Sequence, residues 1–186
     1  MPVRDLLIRH RISPNAVTLF CCFLCIVYAS LSIRTGTTLL FLAFLPLLLL
    51  LRMMFNALDG MIASVTDNQT PIGSVLNELC DVISDLALFS AFALILSEAI
   101  WLWWLLIILS VIIEFTALAV YQATGVRPFS GPFGKSDRAV YLGFFSILLL
   151  LYPDVVAIIY TYIIVGLTLA VLTIINRLKL AWLHKI

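Results

Sequence analysis

Charged residues are scarce in this sequence. Of its 186 residues, 11% are Asp, Glu, Lys or Arg and 63% are hydrophobic, with a mean hydropathy of +1.17. A soluble domain carries about 25% charged residues, so too few remain here to cover a surface that faces water. The scarcity argues against an ordinary soluble domain and favours the lipid bilayer as the solvent.

Other absences narrow the function further. The formal net charge is only +1, which gives no basis for binding nucleic acid. No Ser-His-Asp arrangement and no phosphate-binding glycine loop of the P-loop type is present. The cysteines lie in apolar runs without the spacing of a zinc site, and we expect free packing residues rather than disulfides. They are Cys21, Cys22, Cys25 and Cys80.

Apolar runs of about 20 residues, the length of a membrane-spanning helix, are abundant. They predict six spans in a single domain over residues 1–186, at 16–33, 39–64, 72–97, 99–123, 139–152 and 155–176. Residues 2–13 mix leucines with arginines and predict a short amphipathic helix on the membrane surface. The expected fold is an all-α integral membrane protein, a six-helix transmembrane bundle with an N-terminal surface helix.

Basic residues are distributed unevenly between the two sides of these spans. With the N-terminus in the cytoplasm, the outer loops hold only Arg34. The cytoplasmic segments hold Arg4, Arg9, Arg11, Arg127, Lys135, Arg138, Arg177, Lys179 and Lys185. This asymmetry predicts a multi-pass protein of the inner (cytoplasmic) membrane with both termini in the cytoplasm.

Ionisable residues inside spans are costly and mark candidate functional sites. Here they form two stripes at helical spacing. The second span holds Arg52, Asn56, Asp59 and Gly60, and the third holds Gly73, Asn77, Asp81 and Asp85. The short connection 65–71 makes the two helices antiparallel neighbours, so both stripes meet near the cytoplasmic side. Carboxylate and amide oxygens suit Mg²⁺, Mn²⁺ or Ca²⁺, and structural polar pairing is the alternative.

The spacing of these stripes resembles a known signature. Asn56-Ala-Leu-Asp59-Gly60-Met-Ile-Ala63-Ser64, followed after eight residues by Gly73-x3-Asn77-x3-Asp81, is similar to D-x2-D-G-x2-A-R-x8-G-x3-D-x3-D of the CDP-alcohol phosphatidyltransferase family. The segment from Pro14 to Thr18 resembles the P-N-x2-T segment of that family. Asn56 and Asn77 stand where the family has aspartates, and Ser64 stands where it has an arginine. Asp85 adds a carboxylate one turn beyond the signature.

The resemblance implies an enzyme of phospholipid biosynthesis. It would transfer a phosphatidyl group from CDP-diacylglycerol to an alcohol acceptor, release CMP, use two Mg²⁺ or Mn²⁺ ions and form a homodimer. It assigns metal binding to Asn56, Asp59 and Asn77, and the CDP pocket to Gly60, Ala63, Ser64 and Gly73. Asp81 takes the place of the general base. We hypothesise that Asp81 and Asp85 share the roles of base and metal ligand.

Further charged residues are candidates beyond the signature. Arg52 is predicted to bind a phosphate or to pair with a carboxylate such as Asp59. Lys135 and Arg138 are placed at the cytoplasmic mouth, where they would bind a lipid phosphate or a phosphorylated acceptor. Glu114 is expected to pair with Arg52 or Arg138, or to orient the acceptor. Arg177 is interpreted as ordinary cytoplasmic positive charge.

Three other functions stay open at this stage. One is transfer from a soluble CDP-alcohol to diacylglycerol, and another is a catalytically degenerate relative. The third is an ion pathway, which would need polar residues continuing through the fifth and sixth spans. Because the acids lie near one face and no such continuation is present, the enzyme is favoured.

Overall fold

The computed structural model describes residues 2–36, 38–66, 70–96, 99–152 and 156–183. These residues form seven α-helices and no strand. The helices are α1 (Pro2–Arg9), α2 (Pro14–Thr35), α3 (Thr38–Val65), α4 (Pro71–Ile95), α5 (Ile100–Thr124), α6 (Lys135–Leu151) and α7 (Val156–Leu183). Each predicted span corresponds to one helix from α2 to α7.

The beginnings of α2 and α4 are fixed by capping side chains. The Ser13 side chain accepts a hydrogen bond from the Ala16 N–H, and the Thr70 side chain accepts one from the Gly73 N–H. A proline occupies the first turn of each helix, where its missing N–H costs nothing. Thr70 therefore marks the beginning of the helix that carries the acidic stripe.

The bundle is arranged around α4. Helix α2 packs against α3 and α4, α4 also packs against α5, α3 packs against α6, and α5 packs against α7. The aromatic core includes Trp103, which is 0% exposed and stacks on Phe92 with ring centroids 5.5 Å apart. Although Trp103 lies in the first turn of α5, near an end of a predicted span, its face of α5 turns toward α4 and not toward the membrane interface. Trp101 is 83% exposed, as an anchor would be.

Four of the described helices, α2, α3, α5 and α7, are long and apolar enough to cross a membrane. Large apolar side chains such as Leu50 and Phe115, each 69% exposed, cover their outer faces, as a bilayer-facing surface requires. Helix α4 carries Glu78, Asp81 and Asp85, and α6 has only 17 residues. A multi-pass membrane protein is confirmed, whereas the count of six spans stays a prediction.

Three smaller predictions concern α1, the extent of the domain and the cysteines. Residues 2–9 are helical, but the position of α1 on the membrane surface stays a prediction, as does the extent of the single domain over 1–186. All four cysteines are buried and free, as expected. None of them takes part in the hydrogen bonds or ion pairs of Asp59, Asp81 and Asp85 that the structure describes.

Candidate active site

The two polar stripes meet between α3 and α4, as their spacing predicts. Asp59 is 6% exposed and Asp81 is 4% exposed, so both carboxylates are withdrawn from the protein surface. Oδ2 of Asp59 accepts a hydrogen bond of 2.7 Å from the Thr18 hydroxyl on α2. The P-N-x2-T segment is thus in direct contact with the signature.

Asp81 is the point on which three helices converge. Its Oδ1 accepts a hydrogen bond of 2.8 Å from Asn56 Nδ2 on α3. Its Oδ2 accepts one of 2.8 Å from Lys135 Nζ at the start of α6. Arg52 Nη2 lies 3.4 Å from Oδ1 and also donates to the Asp81 carbonyl. Asp81 is therefore held in place by side chains of α3 and α6.

Asp85 has a different environment from Asp81. Arg52 Nη1 lies 2.5 Å from its Oδ1, and Arg138 Nε lies 2.7 Å from its Oδ2. Both oxygens of this buried carboxylate are thus engaged by guanidinium groups, which favours an anchoring role over the shared base and ligand role. Arg52 pairs with Asp85 and Asp81 rather than with Asp59.

Arg138 lies inside the bundle and not at its mouth. It is 1% exposed, and besides Asp85 it contacts Glu114 Oε1 at 2.9 Å and the Phe133 carbonyl at 3.2 Å. The predicted position at the mouth is wrong because α6 turns this side chain toward α4 and α5. The predicted pairing of Glu114 with Arg138 is confirmed.

Arg177 is also buried, at 4% exposure, and its interpretation as ordinary surface charge is wrong. Its Nη1 donates to the Ile113 carbonyl at 2.6 Å and lies 3.5 Å from Glu114 Oε2. Buried cations of this kind persist only when paired. A line of alternating charges therefore joins α3, α4, α6, α5 and α7 beneath the site.

Lys135 is the cation nearest to the signature. Its Nζ lies 2.8 Å from Asp81 Oδ2 and 3.0 Å from Glu78 Oε2. Partial burial by itself lowers the pKa of Lys135, but the carboxylates of Asp81 and Glu78 outweigh it and raise the pKa above its usual value. Lys135 therefore stays charged beside Asp81 at neutral pH.

A cavity of about 300 Å³, here called the signature cavity, opens at the signature. Gly60, Ala63 and Gly73, which the resemblance assigns to a CDP pocket, line this cavity together with Asp59 and Asn77. Ser64 is exposed and is not among its lining residues. Residues that had not been assigned to this pocket, Pro14, Asn15, Thr18, Thr70 and Ser74, complete its wall.

Two further cavities adjoin the signature cavity at Asn77. The central cavity, of about 350 Å³, lies along Arg52, Asn56, Asp81 and Lys135. The loop cavity, of about 420 Å³, lies beneath the 126–134 loop and includes Glu78, Glu114, Arg127 and Arg177. Asn77 lines all three cavities, and its buried Oδ1 has no hydrogen-bond partner among the described residues.

An apolar groove of about 220 Å³ continues from the central cavity. The two share Met53 and Ala139. The groove runs between α3 and α6 and is otherwise lined by apolar residues, namely Pro46, Leu49, Leu50, Val140, Gly143, Phe144 and Ile147. A polar site is thus linked to an apolar surface that a lipid chain can fill.

The donor atoms at this site suit a hard divalent cation, but they are few. Within the described ranges, no group of three or more His, Cys, Asp or Glu side chains gathers in a metal-binding arrangement. The site instead combines two carboxylates, Asp59 and Asp81, with the amide oxygens of Asn56 and Asn77. The unpartnered Asn77 Oδ1 is an oxygen ligand of the kind that Mg²⁺ and Mn²⁺ accept.

Comparison with known proteins identifies the family. The profile of the CDP-alcohol phosphatidyltransferase family matches residues 11–175. The chain belongs to this family. The family resemblance of the signature is therefore confirmed, and the protein is an enzyme of this class.

Two relatives and two solved structures are similar to this family member. Inner membrane protein YnbA of Escherichia coli is 37% identical over 153 residues, covering 82% of this chain and 76% of that protein. Phosphatidylinositol phosphate synthase of Corynebacterium glutamicum is 34% identical over 104 residues, covering 56% of this chain and 42% of that protein.

The solved structures are of phosphatidylinositol phosphate synthase from Mycobacterium tuberculosis. One, with manganese and citrate, has a TM-score of 0.80 at 20% identity and covers 97% of this chain and 88% of that chain. The other, with CDP-DAG bound, has the same score and identity and covers 97% and 92%. At this identity the likeness establishes the fold.

Proposed function

We propose that this enzyme transfers a phosphatidyl group from CDP-diacylglycerol to an alcohol acceptor and releases CMP, in phospholipid biosynthesis. The observation that carries the choice of donor is the series of adjoining cavities. The signature cavity meets the central cavity at Asn77, and the central cavity meets the apolar groove at Met53 and Ala139. A head group at the signature can therefore be joined to acyl chains in the groove.

The side chains suggest a division of roles. Asp81 accepts the proton of the acceptor hydroxyl as the alcohol oxygen attacks the phosphorus that carries the diacylglycerol group, and CMP leaves. Asn56 and Lys135 orient the Asp81 carboxylate through their hydrogen bonds. Gly60, Ala63 and Gly73 leave space for the nucleotide.

A divalent cation fits the donor set, with Asp59, Asp81, Asn56 and Asn77 as its ligands. When bound, Mg²⁺ or Mn²⁺ supplies neutralisation of the charge on the pyrophosphate and on the leaving CMP. The resemblance predicts two ions. The donor set has only two carboxylates, Asp59 and Asp81, and Lys135 already pairs with Asp81, so we propose that a second ion binds only together with the pyrophosphate of the donor.

Replacing Asn77 with aspartate tests this donor set. We expect Asn77→Asp to tighten Mn²⁺ binding in the absence of substrate by about tenfold, because an anionic oxygen replaces a neutral one. Mn²⁺ binding to purified protein, followed by electron paramagnetic resonance, measures the effect. Asn15→Asp is the matched control, since Asn15 lines the same cavity outside the signature. Equal tightening by both variants would show a general charge effect and not a ligand at Asn77.

Enlarging Gly60 tests the signature cavity as the nucleotide site. A Cβ at Gly60 would meet no atom within 4 Å, so Gly60→Leu projects into open cavity space without weakening α3. We expect the KM for the CDP donor to rise by about tenfold or more, with an unchanged unfolding temperature. Ala123→Leu, at an exposed position on α5, is the control. An unchanged KM for Gly60→Leu would place the nucleotide elsewhere.

The membrane arrangement is proposed on the same basis. Six spans, an α1 helix on the membrane surface, cytoplasmic termini and a cytoplasmic active site agree with the distribution of basic residues. A homodimer follows from family resemblance alone. Cysteine labelling from either side of sealed vesicles tests the orientation, and mass measurement of the protein in detergent tests the dimer.

Competition between donors tests the proposed reaction. We expect purified protein with Mn²⁺ to release CMP from CDP-diacylglycerol in the presence of an alcohol, and not from a soluble CDP-alcohol in the presence of diacylglycerol. The opposite preference would support the alternative transferase and would leave the apolar groove to the acceptor lipid.

A further inference from the structure

The loop cavity is electrically balanced. The acidic and basic side chains that line it are three of each sign. The acidic residues are Glu78, Glu114 and Asp137, and the basic residues are Arg127, Lys135 and Arg177. A site that binds a phosphate monoester needs basic groups free to contact it, commonly as forked arginine contacts.

The basic groups of this cavity are already paired. Arg127 Nη2 lies 2.6 Å from Glu78 Oε1, and Lys135 Nζ lies 3.0 Å from Glu78 Oε2. Arg177 Nη1 lies 3.5 Å from Glu114 Oε2. A phosphate entering this cavity would face the two glutamates and would have to displace them from their cations. Both steps are unfavourable in a partly buried site.

The cavity also presents hydrogen-bond acceptors with free capacity. Asn77 Oδ1 is buried and has no partner within the described part of the chain. Glu78 Oε2 lies 3.0 Å from Lys135 Nζ and Glu114 Oε1 lies 2.9 Å from Arg138 Nη2, and each carboxylate oxygen can accept a further hydrogen bond. Such oxygens need hydrogen-bond donors. Hydroxyl groups supply donors, whereas an ionised phosphate supplies only acceptors.

The loop cavity also adjoins the proposed catalytic carboxylate. Lys135 lines both this cavity and the central cavity, and its Nζ lies 2.8 Å from Asp81 Oδ2. The volume of the loop cavity, about 420 Å³, falls within the range of small-molecule sites, roughly 300–1,000 Å³. A hydroxyl of a small molecule held there is thus close to the group that would accept its proton.

We infer that the loop cavity binds the acceptor and that this acceptor is an uncharged polyhydroxy alcohol and not its phosphate monoester. The inference rests on the proposed function, because it takes Asp81 as the base that activates the acceptor. The polyol hydroxyls donate to the oxygens of Asn77, Glu78 and Glu114. Glu78 excludes phosphorylated acceptors by occupying Arg127 and Lys135.

Matched pairs of acceptors test the inference. CMP release by the full-length protein with CDP-diacylglycerol and Mn²⁺ is compared for glycerol and sn-glycerol 3-phosphate, and for myo-inositol and myo-inositol 1-phosphate. We expect at least one uncharged polyol to be used with a kcat/KM about tenfold or more above that of its phosphate. Preference for the phosphorylated member, or use of serine or ethanolamine alone, overturns the inference.

Equilibrium dialysis of the same labelled compounds separates this inference from the proposed function. CMP release with none of the acceptors contradicts the proposed function, but binding still ranks the polyols against their phosphates. Tighter or equal binding of the phosphates, or no binding of any polyol, overturns the inference independently of catalysis.

Glu78→Gln provides a gain of function that a failure to fold cannot imitate. It removes the carboxylate charge that holds Arg127 at 2.6 Å without changing the size of the side chain, whereas Lys135 keeps its contact with Asp81 at 2.8 Å. We expect the ratio of kcat/KM for phosphorylated over uncharged acceptor to rise by about tenfold or more. The control is Asp5→Asn, which changes the same group on α1, outside all of these cavities. An unchanged ratio in Glu78→Gln would overturn the exclusion by Glu78.

Discussion

Asp81→Asn is expected to lower kcat for CMP release by about 100-fold or more, which is the usual scale for loss of a general base. The amide keeps the size of the side chain but cannot accept the acceptor's proton. The fold should survive the change. Lys135 retains Glu78 at 3.0 Å, and Arg52 retains Asp85 at 2.5 Å, so neither cation is left unpaired.

Two measurements accompany this rate comparison. Thermal unfolding in detergent, and binding of CDP measured without divalent metal, should both stay close to those of the unchanged protein, while kcat falls. Asp5→Asn, the same chemical change on α1, should leave kcat unaltered. A kcat for Asp81→Asn within about threefold of the original would exclude Asp81 as the base, since general bases contribute far more than this.

Asp85→Ala is expected to lower the free energy of unfolding by about 3–5 kcal/mol, the cost of breaking a buried ion pair by removing one partner. Asp85 is 4% exposed and holds Arg52 and Arg138 at the same time. Without it, Arg52 retains the Asp81 contact at 3.4 Å and Arg138 retains Glu114. Chemical unfolding in detergent measures the loss.

Metal binding distinguishes this anchoring role from a ligand role. Asp85→Asn, which keeps the shape, should lower stability while leaving the affinity for Mn²⁺ unchanged, because both Asp85 oxygens face guanidinium groups. A clear loss of Mn²⁺ affinity in a folded Asp85→Asn protein, with unaltered stability, would restore Asp85 as a metal ligand.

The contrast between Asp81 and Asp85 shows how far the sequence can predict this site. Spacing within one helix fixes which residues share a face, and it correctly placed Asn77, Asp81 and Asp85 in one stripe opposite Asn56 and Asp59. Spacing does not determine which side chain of a distant helix meets each carboxylate. Lys135 and Arg138 lie 54 and 53 residues beyond their acidic partners, and only the packing of α6 assigns one to Asp81 and the other to Asp85.

Two side chains are more deeply buried than their position along the chain suggests, and the physical reason is the same for both. Arg177 was interpreted from its position along the chain, just beyond the last predicted span, and Trp103 lies near the start of the fourth span. Burial depends on which face of the helix they occupy, and Trp103 turns toward α4 while Arg177 turns toward Glu114. Apolar residues cover nearly all faces of α5 and α7, so their hydrophobic pattern does not indicate the inner face.

The cavities could not be predicted from the signature alone. The glycines at 60 and 73 and Ala63 indicated space beside the acids, and the signature cavity is there. The loop cavity instead depends on residues far apart in sequence, from Glu78 on α4 to Arg177 on α7, whose charges balance only after the helices pack. Because these charges cancel, we infer that the cavity binds an uncharged acceptor.

Asn56, Asn77 and Ser64 depart from the family signature, so phosphatidyl transfer by the unchanged protein is the central claim to test. The most direct measurement supplies CDP-diacylglycerol labelled in its diacylglycerol phosphate, Mn²⁺ and a panel of polyols to the purified protein, and follows CMP and labelled lipid together. We expect CMP and a new phosphatidyl lipid in equal amounts, both abolished by chelation and both formed about 100-fold or more slowly by Asp81→Asn. No CMP from any acceptor, with CDP-diacylglycerol bound but unchanged, would contradict this claim and identify a degenerate relative.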